Sequence, residues 1–139
     1  MSDQSSKGVW RPGTGASEDG LRQLVSDCPI RLPESYLRQL RESDGGEGDL
    51  AVEPGWVVFW PAAEVVTANR EYHIAEFVPG LYGFGSNGGG ELLAFDCRAQ
   101  PPYPIVMVPF IPMDWREARQ VSSSFDEFRG RIGLPLEGA

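Results

Sequence analysis

The sequence predicts an α+β domain with a mostly antiparallel sheet and helices packed on one side. Helical periodicity is confined to residues 17–42, 61–71 and 124–132, whereas β-branched and aromatic runs fill 56–60, 81–96 and 105–110. An Asn-Gly turn joins two of those runs, the signature of an antiparallel hairpin. With 139 residues, 41% of them hydrophobic, the chain is long enough to bury one core without disulfides or metals.

Residues 1–16 are rich in Ser, Gly, Asp and Pro and hold little that is apolar apart from Val9 and Trp10. They are expected to form a mobile arm, with the folded domain spanning 17–139. In the first helix Leu21, Leu24, Val25 and Cys28 recur at i, i+3, i+4 and i+7. Ser17 suits its N-cap, Glu18 and Asp19 suit the positive end of its dipole, and Pro29 ends it. Pro33 suits the first turn of a second helix, which turns Tyr36, Leu37 and Leu40 inward and stops at Gly45-Gly46.

Residues 56–60, bounded by Pro54-Gly55 and Pro61, read as a strand buried on both faces. Pro61 then opens a third helix in which Ala62, Val65, Val66 and Asn69 share a face. Asn69 thereby lands on the apolar side, where its amide is expected to hydrogen-bond a nearby loop backbone. Runs 81–85 and 91–96 flank Ser86-Asn87-Gly88-Gly89-Gly90 and form a hairpin. The run 105–110 is bracketed by Pro101-Pro102, Pro104 and Pro109, which places it at a sheet edge because proline has no N–H for a ladder. Ser124-Phe125-Asp126-Glu127 is a capping box for a last helix that buries Phe125, Phe128 and Ile132 before Gly133 and Pro135 stop it.

Composition narrows the function. The formal charge of −8 gives no source for the phosphate neutralisation that nucleic-acid binding needs, and no apolar run approaches a membrane span. Residues 1–7 hold no apolar signal segment, so a cytoplasmic location is expected. Cys28 and Cys97 fit neither a zinc nor a redox spacing and read as buried small hydrophobes. The single His73 and the lack of any nucleophile or metalloprotease motif argue against catalysis and against a metal. Residues 83–88 match GxGxxG, but a strand rather than a helix follows, so no nucleotide cofactor is expected.

Charge is distributed unevenly. Residues 42–97 hold ten acids and only Arg70. Within that stretch Glu42, Asp44, Glu47, Asp49 and Glu53 crowd around a glycine-rich loop beside Trp56 and Trp60. Such a segment either keeps the protein soluble or attracts a basic protein, with Trp56 as an aromatic anchor. On the second reading, charge reversal at Asp44, Glu47 and Asp49 is expected to slow association and leave folding nearly unchanged.

Several motifs, taken in order, resemble one family. They are Leu32-Pro33-Glu34-Ser35-Tyr36 with Asp44-Gly45-Gly46-Glu47-Gly48; Phe59-Trp60-Pro61 with residues 65–72; residues 84–91 with Ala94-Phe95-Asp96; and Ser124-Phe125-Asp126-Glu127-Phe128. Together they resemble the SUKH superfamily, which includes the Smi/Knr yeast cell-wall-assembly regulators and many bacterial immunity proteins. The likeness spans roughly residues 20–132, with Asp44 standing where the family often has Asn. It implies an α+β fold, no enzymatic activity, and in bacteria the neutralisation of a cognate toxin, often a nuclease, by direct binding. Pro33, Tyr36, Gly46, Trp60, Asn69, Gly88, Asp96, Phe125 and Phe128 are then structural positions. A regulatory scaffold of the yeast type and a small-molecule-binding domain remain as alternatives.

Overall fold

Alternation along two central strands decides the architecture. In the computed structural model, which describes residues 8–136, β5 (Glu91–Asp96) pairs with β6 (Ile105–Pro109). The register sets Leu93 against Met107 and Phe95 against Ile105 on one face, and Leu92 against Val108 and Ala94 against Val106 on the other. Both faces are therefore apolar, and each is covered by its own cluster of buried side chains.

Five further strands complete a sheet in simple sequence order, β1 (Trp10–Arg11), β2 (Glu47–Asp49), β3 (Trp56–Phe59), β4 (Leu81–Ser86), then β5, β6 and β7 (Arg119–Ser122), every pair antiparallel. The larger cluster lies under α1 (Glu18–Asp27), α2 (Glu34–Glu42) and α5 (Phe125–Arg129). It is built on aromatic rings: Phe84 contacts Phe95 at 4.9 Å and stacks on Phe59 at 5.7 Å, while Tyr36 meets Phe95 edge-on at 5.2 Å. Ser17 caps α1 by accepting from the Gly20 N–H, and Ser124 caps α5 by accepting from the Glu127 N–H. α3 (Ala62–Glu71) turns Val65 and Asn69 inward.

The fold is α+β with helices α1, α2 and α5 on one face of the sheet. The second face is not left to solvent. The short α4 (Ile74–Phe77), entered through His73 at φ 57°, lays Ile74 and Val78 against Leu92, Ala94, Val106 and Val108, and the segment holding Met113 and Trp115 closes the remainder.

Other expectations are corrected. Residues 1–7 lie outside the described residues, but residues 8–16 are part of the body rather than a separate arm. β1 pairs with β2, and Thr14 and Ala16 exchange backbone hydrogen bonds with Asp44 and Leu40. Polar composition hid this because the backbone and the single ring of Trp10, packed edge-on against Phe59 at 6.2 Å, hold the segment. β3 buries Val57 and Phe59 but leaves Trp56 and Val58 half-exposed, so it is buried on one face, and Trp60 follows the strand. β6 is interior, since its prolines lie at its ends, and β7 forms the edge. The last helix stops at Arg129, and Ile132 instead bridges to Leu50.

Candidate functional site

The acidic stretch folds as the end of α2, a tight turn and the strand β2. Gly45 and Gly46 both sit at positive φ, 85° and 94°, which reverses the chain so that β2 can enter the sheet. The five carboxylates are thereby distributed to separate partners.

Glu42 pairs with Arg129 of α5 at 2.5 Å. Asp44 Oδ1 accepts the Ala62 N–H at 2.7 Å, and so caps α3 from eighteen residues upstream, where Pro61 offers no side-chain cap. Glu47 accepts from Trp56 Nε1 at 3.2 Å and lies 4.0 Å from Arg11, whose guanidinium sits over the Trp56 ring. Asp49 Oδ2 accepts the Val9 N–H at 2.7 Å. Glu53 pairs with Arg119 at 3.4 Å.

All five acids are engaged within the chain, and the cations come from arginines outside the acidic stretch. Glu42 and Glu53 remain exposed, Glu47 is half-buried, and Asp44 and Asp49 serve the backbone. The Asp44 carboxylate is not a free surface group, because it satisfies the N-terminus of α3. Trp56 is half-buried under Arg11 and is not a free anchor.

Residues read as structural have specific jobs. The Asn69 amide donates to Val65 O and Gly83 O and accepts from the Gly83 N–H, at 2.7–2.9 Å. It pins a strand rather than a loop, occupying the edge of β4 beyond the last bond from the β3 side, Trp60 N–H to Phe84 O. Asp96 holds Arg98 through its backbone N–H and both sides of the guanidinium, which keeps its carboxyl below the ordinary range. That guanidinium stacks on Trp115, 3.7 Å from the ring centroid. Gly88, at φ 80°, closes the hairpin turn, in which Asn87 Oδ1 accepts from the Gly89 and Glu91 N–H groups.

The glycine-rich stretch is this hairpin. A Cβ on Gly85 would lie 2.3 Å from Val58 O, so the glycine is set by the close approach of β3. Among the described residues no cluster of three or more His, Cys, Asp or Glu side chains could hold a metal, and no helix is long and apolar enough to cross a membrane. Both cysteines are half-buried and free, and burial pushes the Cys97 thiol up to about 12, away from nucleophilic use.

A family model described as the SMI1 / KNR4 family (SUKH-1) matches residues 15–131. The chain belongs to the SMI1 / KNR4 family. No curated protein matches the chain. The SMI1 / KNR4 match begins at Gly15, so strand β1 lies before it.

Sequence reasoning missed a second surface. Tyr72, Phe77 and Ile111 are large, exposed and apolar, and come from three stretches whose isolated apolar residues gave no periodic signal. Their only trace in the sequence is that Phe77 lies two residues before Pro79 and Ile111 directly before Pro112.

Proposed function

We propose that this SMI1 / KNR4 family member is a non-enzymatic protein-binding module that neutralises a basic partner, a toxin domain, by direct association. The observation that carries the reading is the charge distribution: ten acids against one arginine across residues 42–97, in a family fold that includes immunity proteins. A nuclease holds phosphates with Lys and Arg, so an acidic binder competes for the same surface. Exposed Glu42 and Glu53 and half-buried Glu47 contribute to the acidic field, while Asp44, Asp49 and Trp56 act through the fold.

Co-expression with the product of the neighbouring gene tests the reading. Growth is restored by the wild-type chain, and the purified pair associates more slowly as salt rises, since exposed charges are screened over about 8 Å at physiological ionic strength. Absence of both binding and protection removes the immunity reading for that pair. Stable binding to several unrelated proteins without protection favours a regulatory scaffold instead.

A further inference from the structure

Tertiary pairing compensates three of the five carboxylates in the stretch where the sequence concentrates negative charge. Glu42, Glu47 and Glu53 have arginine partners supplied by the rest of the chain. On α3, Glu64 and Glu71 are exposed and have no cationic partner among the described residues, and on α4 Glu76 has only His73, 3.4 Å away.

Two depressions share Tyr72, and Glu64 and Glu71 line one of them, while Glu76 precedes Phe77 of the other in sequence. One, of about 270 Å³, is lined by Tyr72, Phe77, Phe110, Ile111, Pro112 and Met113. The other, of about 510 Å³, is walled by Trp60, Glu64, Thr67, Glu71 and Tyr72. Tyr72 is held as the ridge between them, stacked on Trp60 at 5.9 Å and against Phe110 at 4.8 Å. Ile111 is 92% exposed and Phe77 55%, so the apolar half presents large side chains to solvent.

We propose that this double depression is the docking groove for the basic partner, taking a partner segment in which a large apolar side chain is flanked by Lys or Arg. The apolar side chain enters the Phe77–Ile111 half, and the cations meet Glu64 and Glu71 across the Tyr72 ridge. Charge complementarity selects this occupant, because Glu64 and Glu71 face the groove without the arginine partners that Glu42, Glu47 and Glu53 have. The assignment rests on the binding-module reading for its biological meaning, but the groove is testable without it.

The probe is a short synthetic peptide with a central Phe-Leu pair flanked by arginines, titrated into the full isotopically labelled chain while backbone amide shifts are followed. The expected shifts cluster at residues 64–77 and 110–113 and weaken as salt rises. A Glu64→Lys/Glu71→Lys variant binds about fivefold more weakly, the loss of roughly 1 kcal/mol from exposed pairs. Ile111→Glu, a change at a fully solvated position, abolishes the shifts of 110–113 while thermal unfolding is retained. The same peptide with glutamates for arginines leaves the spectrum unchanged. Shifts confined to residues 42–53, or none with the arginine peptide, overturn the groove. Concentration-dependent shifts of the groove amides without peptide identify a second copy of the chain as occupant and also overturn it. Failure of the groove leaves protection in co-expression intact, whereas failure of the binding-module reading abolishes protection and leaves the peptide shifts in place.

Discussion

At the residue scale, Asn69 carries the most consequential polar contact. Its amide acts as one more residue of β3, satisfying the buried Gly83 N–H and C=O where that strand has turned away. Asn69→Ala leaves both groups unmet and is expected to cost about 1–3 kcal/mol in the urea midpoint. Tyr36 presents the converse case, because its ring packs on Phe84, Phe95 and Phe125 while its hydroxyl is buried with no partner among the described residues. Tyr36→Phe keeps the ring contacts and removes an unsatisfied group, so stability is expected to be unchanged or to rise by about 1 kcal/mol. A clear fall in the unfolding midpoint would show that the hydroxyl is bonded after all. Asp96 links residue chemistry to pH. Its folded-state pKa is depressed by Arg98, so its contribution is present above the ordinary carboxylate value near 3.8 and is lost as pH falls through the lower folded value. Urea midpoints measured from about pH 5 down to about pH 3 should fall, and Asp96→Asn should flatten that acid limb. Asp114, held at about 2 by Arg116, titrates in the same direction but is solvated and adds little to it.

At the element scale, the acidic segment divides into carboxylates that build helices and strands and carboxylates that only face solvent. Asp44 caps α3, and Asp44→Ala is expected to cost about 1 kcal/mol, the usual price of a lost N-cap. Glu53→Lys breaks an exposed pair with Arg119 and is expected to stay within about 0.5 kcal/mol. Thermal unfolding of the two variants separates the roles: equal losses would mean that the Asp44 bond contributes nothing. The long helices and the hairpin were legible because their signals are local. Leu21, Leu24 and Cys28 follow a helical period, Ser17 and Ser124 sit where caps belong, and Asn87-Gly88 specifies its turn within a few residues. β1, β2 and β7 were not legible, because Glu47-Gly48-Asp49 and Arg119-Gln120 carry no alternating apolar pattern. They are strands because neighbours offer them backbone partners. The same distinction explains β6, whose prolines mark its ends and leave the interior ladder to Val106, Met107 and Val108.

At the scale of the whole molecule, the sheet is a meander, and its order makes the N-terminal third and the C-terminal third meet at the acidic segment. Arg11 and Arg129 approach Glu47 and Glu42 only because β1 and α5 flank β2 and α2. Charge counting along the chain could therefore locate an acidic region but not its free face, which depends on partners far away in sequence. The same assembly assigns residues 8–16 a structural role that their composition concealed. Val9 exchanges hydrogen bonds with Asp49 through both its N–H and its C=O, Gly13 N–H donates to Ser43 Oγ, and Thr14 and Ala16 bond Asp44 and Leu40. Trp10 adds the apolar part, packing on Phe59 and over Gly46. Trp10→Ala is expected to cost about 2 kcal/mol, roughly half the figure for a fully buried tryptophan, because the ring is partly exposed. Deleting residues 1–16 should cost more, since it also strips the backbone partners from Asp44 and Asp49 and turns β2 into an edge. That edge is three residues long and carries Glu47 and Asp49, features that oppose edge-to-edge pairing, so the truncated chain should stay monomeric while unfolding at lower urea. Equilibrium unfolding of the full and truncated chains, with sedimentation of each, decides the matter: coincident midpoints would return residues 8–16 to the status of an arm, and a lowered midpoint with unchanged sedimentation would make them the first strand of the domain.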